Sequence, residues 1–357
     1  MFNALATRVL FDNATAGNTP RATGVEFLWG SAMYSADPRY NANSTGESGI
    51  VRIKKEAIVS GGAFNSPQIL KLSGIGPADE LSHFDIPVIV DLPGVGNNLQ
   101  DNYETSVIAH ASTDFENNGP ACTMGTTEDD PCLELWRRGE GPYTQGRIGI
   151  TQYRTNASAS GENDLLIWQF PGAFRGFYPR APGIPGPELR NTFCFLMAKM
   201  HPRGSNGTVS LRSANPRDTP EIFFNFYSEA GPDSVDLQGL LEGAKFAQRV
   251  LDSVSSPIGP FTQEFPCDGG CESDAEAIDR IMGHGFAHHA TSSCRIGADN
   301  DPMAVLDSQL RVRGVQGLRV VDGSSFPRVP GAFPVLPIFM LSEKATDDIL
   351  REHGGTL

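Results

Sequence analysis

Short apolar runs alternate with turn residues over the first hundred positions of the chain. The runs that predict strands of a sheet lie at 5–11, 22–28 and 51–59. A helix is predicted directly after the third run, because Ser66 precedes Pro67, apolar residues follow, and Gly74 ends the pattern. This part of the chain therefore predicts a sheet followed by a helix.

The rest of the chain falls into two regions that differ in composition and in the elements they predict. Residues 103–285 are rich in Gly, Pro, Asn and aromatic residues and predict an irregular sheet with loops and an amphipathic helix at 236–251. The end of the chain returns to the earlier style, since residues 318–323 predict a buried strand and residues 337–351 a helix that starts at a proline. We expect a domain built from both ends of the chain and interrupted by a second domain.

Composition limits the partners that the chain can have. Its 357 residues are 39% hydrophobic, which is enough for a sizeable core. The formal net charge of -14 argues against nucleic acid and against an anionic membrane surface, because neither attracts an acidic protein. The most apolar run, residues 335–341, is too short for a membrane helix. A small molecule is the expected ligand, and the oligomeric state stays open.

The six cysteines include two closely spaced pairs, Cys122 with Cys132 and Cys267 with Cys271. Such pairs could form disulfides in an oxidising compartment. A metal site is the rival interpretation, and no metal is expected because no pair completes a four-ligand set. Four Asn-X-Ser/Thr sequons, which favour secretion, lie at Asn13, Asn43, Asn156 and Asn206. An extracellular location is the resulting expectation.

Small residues separate the third strand from the helix in the run at 60–77, which reads SGGAFNSPQILKLSGIGP. They let the backbone approach a ligand, and free amides at a helix start favour an anion. A tight strand-to-helix turn without a ligand would use the same residues. The run closely resembles the second signature of the glucose-methanol-choline (GMC) oxidoreductases. Residues 94–101 resemble the family segment that follows, although Asn102 replaces its usual histidine.

Two adjacent histidines, His288 and His289, lie among small residues in the run at 285–297. Histidines are usually structural, so the pair alone indicates little. The resemblance to the GMC family places His289 on the catalytic histidine and His288 on the aromatic position before it. It implies that His289 accepts the substrate hydroxyl proton while hydride leaves for flavin N5, and that the protonated ring stabilises the oxyanion.

The same resemblance implies FAD as the cofactor. Residues 305–327 resemble a flavin-contacting strand and turn, where Asp322 would orient ribityl or phosphate groups and the Gly323 amide would approach the diphosphate. The helix at 337–351 would direct its positive end at the flavin. The cofactor-binding residues predicted from the resemblance are Ala6, Gly62, Asp322, Gly323, Val335 and Leu336.

The expected fold class is mixed α+β or α/β. The resemblance divides the chain into part of an FAD-binding domain (1–102), an inserted substrate-binding domain on an antiparallel sheet (103–285) and the C-terminal part of the FAD-binding domain (286–357). Family members begin with a Gly-X-Gly-X-X-Gly fingerprint that holds the FAD diphosphate, and residues 1–60 contain none. We therefore expect the C-terminal portion of such a protein, with an incomplete FAD-binding domain that binds FAD weakly or not at all by itself.

A second departure concerns the partner of the catalytic histidine, which is His or Asn in the family. Phe333 takes this position and is expected in the substrate pocket, where its ring cannot share a hydrogen bond with the substrate. The leading prediction is an FAD-dependent oxidase or dehydrogenase of CH–OH donors, reoxidised by oxygen or another acceptor. Phe333 favours the alternative of a non-redox flavin-fold enzyme, such as a cyclase, lyase or decarboxylase. An inactive remnant is the third hypothesis.

Overall fold

The computed structural model describes residues 1–12, 19–115, 122–123, 127–144, 148–158, 161–176, 191–204, 207–227 and 231–355. The strands are β1 (Ala4–Phe11), β2 (Ala22–Trp29), β3 (Glu47–Arg52), β4 (Ala57–Val59), β5 (Ile75–Gly76), β6 (Val90–Asp91), β7 (Asn97–Leu99), β8 (Tyr103–His110), β9 (Gly149–Tyr153), β10 (Leu165–Pro171), β11 (Thr192–Lys199), β12 (Gly207–Ser210), β13 (Glu221–Phe223), β14 (Thr262–Phe265) and β15 (Leu318–Val320). The helices are α1 (Gly62–Leu72), α2 (Ala78–His83), α3 (Pro131–Arg137), α4 (Val235–Asp252), α5 (Asp274–His284) and α6 (Val335–Glu352).

The chain divides into two compact units. Unit 1 comprises Met1–Asn102, His201–Ser228 and His288–Leu357, and unit 2 comprises Tyr103–Met200 and Glu229–Ala287. The predicted ranges 1–102, 103–285 and 286–357 differ from these two units mainly in the segment at 201–228. The prediction placed this segment in the second domain, whereas it lies in unit 1. This segment belongs to unit 1 because β12 pairs antiparallel with β7. The functions given to the three ranges stay a prediction.

The parallel pair β4 and β15 positions the main features of unit 1. β4 leads through Ser60 and Gly61 into α1, and β15 leads through Asp322 into a short 3₁₀ turn at Gly323–Ser325. Because parallel strands end at the same edge of a sheet, both connections lie at one edge. The antiparallel sheet β1–β2–β3 belongs to the same unit. Buried core residues of unit 1 include Val59, Leu70, Ile75, Leu306, Leu318 and Val320.

The single strand predicted at 51–59 is wrong in extent, because the structure divides it into β3 and β4. β3 pairs antiparallel with β2, whereas β4 pairs parallel with β15. The chain bends at Lys54 and Lys55, whose side chains are both exposed. The bend allows one apolar run to serve two different sheets.

The predicted start of α1 is also wrong. The helix begins at Gly62, so Pro67 lies inside it and not at its first position. Proline has no N–H to donate to the carbonyl of Ala63, one turn earlier. The Ser293 hydroxyl donates to that carbonyl over 2.5 Å. A bond from a distant segment therefore replaces the one that the proline removes.

Unit 2 is built on an antiparallel sheet in the order β14–β8–β11–β10–β9. Helix α4, which confirms the helix predicted at 236–251, lies against β8 and β11. Its buried apolar residues recur at the spacing of one helix face and are Leu237, Leu240, Leu241, Ala244, Ala247 and Leu251. Both predicted cysteine pairs, Cys122–Cys132 and Cys267–Cys271, form disulfides in this unit. Within the described ranges, none of the helices has the length and hydropathy that a membrane span needs.

Candidate active site

His289 lies in a buried loop of unit 1. Next to it, Gln100 and Thr291 pair their backbones, the Gln100 N–H donating over 3.1 Å and the Thr291 N–H returning a bond of 2.8 Å. One oxygen, Asp101 Oδ1, accepts the N–H of His289 over 2.7 Å and that of Asn102 over 2.8 Å. The pairing therefore holds His289 beside Asn102, although 187 residues separate them in the chain.

Asn102 provides a polar contact to the imidazole of His289. Its Oδ1 lies 3.0 Å from His289 Nδ1, and its Nδ2 donates to the Gly331 carbonyl over 2.8 Å. Both side chains are buried, with relative exposures of 5% for His289 and 0% for Asn102. Sequence reasoning missed this contact. The signal that could have found it was the replacement of the usual histidine at position 102.

The surroundings of His289 favour its neutral form. Burial lowers the pKa of the imidazole from 6.5 to about 4, and the charge on His288 acts in the same direction. The centroids of the two rings lie 3.9 Å apart, and His288 is exposed. At neutral pH His289 is therefore an uncharged ring, which is the form that accepts a proton.

Phe333 contacts the other side of the site. Its ring centroid lies 4.8 Å from that of His289, with the two planes at 75°. This edge-to-face arrangement is a favourable one for aromatic rings. Phe333 is 46% exposed, so part of its ring also faces outward. The structure thus brings together three predicted residues, His288, His289 and Phe333.

Gly62 and Asp322 meet at the edge where β4 and β15 end. Asp322 Oδ2 accepts the Gly62 N–H over 2.9 Å and the Ser66 hydroxyl over 2.5 Å. Its Oδ1 accepts both the N–H and the hydroxyl of Ser324. Four donors match the lone-pair sites of an ionised carboxylate. Asp322 is therefore a structural link between α1 and the turn after β15. A ribityl hydroxyl could bond it only by replacing an internal donor, and a phosphate oxygen has no hydrogen to donate to it.

The two predicted glycines have different surroundings. Gly62 has a φ of +77°, and apart from its chain neighbours and the backbone of its own helix, no heavy atom of the described residues lies within 4 Å of the position that a Cβ would take. Gly323 is buried, and a Cβ there would lie 3.4 Å from Ile338 Cδ1 of α6. Gly62 therefore leaves room for a ligand beside the backbone, whereas the backbone of Gly323 packs against Ile338 of α6.

Val335 and Leu336 form the first turn of α6 and are 60% and 66% exposed. Phe339 and Met340, one turn later, are each 65% exposed. The positive end of this helix therefore carries an apolar surface. Ala6 lies in β1, beside a register shift in the pairing with β2. Because β1 belongs to the sheet β1–β2–β3, Ala6 lies in a different sheet from β4 and β15.

Two family models described as GMC oxidoreductase match the chain, one at residues 1–104 and the other at residues 202–342. The chain belongs to the GMC oxidoreductase family. Membership confirms the family that the sequence motifs predicted. The N-terminal family model matches from residue 1, so the expectation that this chain lacks the N-terminal fingerprint is not supported.

Curated GMC relatives align over nearly the whole chain. Mitochondrial choline dehydrogenase from Mus musculus is 31% identical over 98% of this chain and 53% of its own length. A GMC oxidoreductase from Aspergillus terreus is 33% identical over 98% of this chain and 54% of its own. A glucose dehydrogenase of Drosophila pseudoobscura pseudoobscura, named for FAD and quinone, is 34% identical over 85% of this chain and 48% of its own length. The chain thus spans about half the length of the curated relatives it matches.

Solved structures share the fold at lower identity. Formate oxidase from Aspergillus oryzae superimposes with a TM-score of 0.75 at 22% identity, over 98% of this chain and 60% of that one. A fungal aryl-alcohol oxidase gives 0.72 at 22% identity, with the same shares. These likenesses confirm a mixed α/β fold with antiparallel sheets. The family's relatives are dehydrogenases and oxidases by name, which does not favour the non-redox alternative.

Proposed function

We propose that the protein oxidises the CH–OH group of a small-molecule alcohol with FAD, and that His289 is the catalytic base. The observation that carries the proposal is the buried imidazole of His289, whose pKa is lowered to about 4. A base must be unprotonated at the working pH, and this ring meets that condition. The relatives named for choline and glucose, two compounds with CH–OH groups, support the substrate class.

FAD would bind at the edge where β4 and β15 end. The open space beside Gly62 admits a ligand to the backbone, and Val335 and Leu336 offer an apolar surface to a flat ring. The positive end of α6 favours negative charge on that ring. When bound, FAD supplies the acceptor for the hydride that leaves the substrate carbon. The remaining cofactor contacts that we propose are those of Ala6, Asp322 and Gly323.

His289 would take the hydroxyl proton as the carbon loses hydride. The ring becomes an imidazolium in this step, and its positive charge stabilises the developing oxyanion. Phe333 forms an apolar wall at the edge of the imidazole and would contact the hydrocarbon part of the alcohol. His288 lies against the same ring and is a polar side chain that could hold the substrate oxygen.

The two units would divide these tasks. We assign FAD binding to the segments 1–102 and 286–357 and substrate binding to the segment 103–285, whose antiparallel sheet lies in unit 2. The acceptor that reoxidises the flavin is oxygen or another compound, since relatives include an oxygen-dependent choline dehydrogenase as well as a quinone-named glucose dehydrogenase.

An extracellular location is part of the proposal. The two disulfides support it, because such bonds persist in oxidising compartments. The sequon residues Asn43 and Asn156 are exposed, as glycosylation requires. The other two sequons, at Asn13 and Asn206, lie outside the described residues.

The test is an anaerobic absorbance titration of the full-length gene product with primary, secondary and aromatic alcohols. We expect a bound oxidised flavin whose visible band bleaches with at least one of them. His289→Ala should retain the flavin and lower the rate of bleaching by roughly two to four orders of magnitude, as loss of a general base implies.

A matched control is His83→Ala, which removes an exposed histidine at the end of α2 in the same unit. It should bleach at the wild-type rate. A bound flavin that no alcohol bleaches would contradict the proposed reaction. Equal bleaching rates in the wild type and His289→Ala would contradict the role of His289.

A further inference from the structure

We infer that Asn102 is a positioning residue that keeps the proton of the neutral His289 ring on Nδ1, so that Nε2 is the basic nitrogen. The inference rests on the proposed role of His289 and deepens it, because it names the atom that receives the substrate proton. It also gives a role to the position at which the chain departs from the usual family histidine.

The orientation of the Asn102 amide is fixed by Gly331. The side-chain nitrogen donates to the Gly331 carbonyl over 2.8 Å. A carbonyl only accepts hydrogen bonds, so the reversed amide would place two acceptors against each other. The amide oxygen is therefore the atom that faces His289.

The proton position in the imidazole follows from this orientation. Asn102 Oδ1 lies 3.0 Å from His289 Nδ1 and can only accept, so Nδ1 must carry the hydrogen. A neutral imidazole holds one N–H, which leaves Nε2 with a lone pair. The tautomer of a histidine is generally set in this way, by the hydrogen bond that its other nitrogen makes.

Two further features keep the contact in place. Asp101 Oδ1 holds the backbone N–H groups of both His289 and Asn102, so the two side chains start from fixed positions. Both side chains are buried, and water therefore competes little for the bond. An amide does not titrate in the working pH range, whereas a histidine at position 102 could act as donor or acceptor depending on its own protonation. Asn102 thus fixes the direction of the bond at every such pH.

The experiment reads the tautomer directly. The protein is labelled with ¹⁵N-histidine, and two-bond ¹H–¹⁵N correlation spectra are recorded at neutral pH without substrate. His289→Gln identifies the signals of this ring among the seven histidines. We expect a protonated Nδ1 and an unprotonated Nε2 in the wild type. A wild-type ring protonated on Nε2 would overturn the inference.

Three variants separate positioning from general structure. Asn102→Leu has nearly the same size but no acceptor, and it should lower the ratio of the Nδ1–H to the Nε2–H tautomer about fivefold or more, the factor for a hydrogen bond of about 1 kcal/mol. Asn102→Asp keeps the acceptor, so it should keep the Nδ1–H tautomer. Its negative charge should raise the pKa of His289, in addition to the effects of Asp101 and His288, which also contact His289. Asn97→Leu removes a side-chain bond to the Pro93 carbonyl and should leave the spectrum unchanged.

An unchanged tautomer ratio in Asn102→Leu would overturn the inference. If that variant does not fold, the wild-type and Asn102→Asp spectra still decide, because loss of the Nδ1–H signal in either of them contradicts it. These spectra need neither flavin nor turnover. Failure of the alcohol titration would therefore refute the proposed reaction without altering the tautomer result, and the reverse also holds.

Discussion

Replacing His289 by glutamine should remove a defined pH dependence from the stability of the protein. The pKa of His289 is about 4 in the folded state and 6.5 in the unfolded chain. Between these two pH values the unfolded state binds more protons than the folded state, so the free energy of unfolding falls as the pH falls. Glutamine binds no proton in this range, and the variant should lack this loss.

The two pKa values determine the size of the effect. The linkage relation gives a loss of about 1.4 kcal/mol at about pH 5.5 and about 3 kcal/mol at about pH 4. Only 5% of His289 is exposed, so solvent screening should reduce these values little. The isoelectric point is near 4.9, where the protein carries no net charge and self-associates most readily. About pH 5.5 is therefore the better condition.

The assay is urea unfolding followed by circular dichroism at about pH 7.5 and about pH 5.5, for the wild type, His289→Gln and His83→Gln. The packing change at position 289 affects both pH values equally and cancels when the pH dependences are compared. The wild type and His83→Gln should each lose about 1.4 kcal/mol more than His289→Gln between the two conditions.

Equal pH dependence in all three proteins would refute the reasoning, because it would mean that His289 titrates alike in the folded and unfolded states. A larger loss in His289→Gln than in the wild type would show the opposite sign and would refute it as well. The comparison requires equal slopes against urea, which is checked from the same curves.

Two further predictions concern the buried polar groups that fix unit 1. Asp322→Ala should destabilise the protein by about 3 to 5 kcal/mol in urea unfolding, because the buried Ser66 hydroxyl and the buried Ser324 N–H lose their acceptor, and a near-zero change would contradict the linking role. Lys71→Met should cost about 3 kcal/mol, because the buried Lys71 ammonium bonds Glu80 over 2.7 Å and the Val209 carbonyl over 2.7 Å. Its removal takes the cation away from Glu80, whose carboxylate keeps only the N–H of Leu211 among the bonds of the described residues. A double variant with Glu80→Gln should recover part of that loss, and no recovery would contradict the pairing.

The sequence by itself determined the two long helices α4 and α6 and the family. The amphipathic pattern at 236–251 and the proline start at 337 gave α4 and α6 nearly to the residue. These features depend on residues close in the chain, whose spacing sets which face of an element is buried. The motif around His289 also needed no tertiary information, because chemical type and order are properties of the sequence.

Only the tertiary structure decided how these groups work together. Asn102 and His289 are 187 residues apart, Gly62 and Asp322 are 260 apart, and Ser293 reaches the Ala63 carbonyl across 230 residues. No periodicity links such positions, since their contacts arise from the packing of distant segments. The low pKa of His289 has the same origin, because burial is the work of the whole fold and not of the neighbouring residues alone. The position of α1 shows the physical reason most directly. The preference of proline for the first position of a helix is local, but the Ser293 hydroxyl bonds the Ala63 carbonyl that Pro67 cannot bond, so the helix begins earlier.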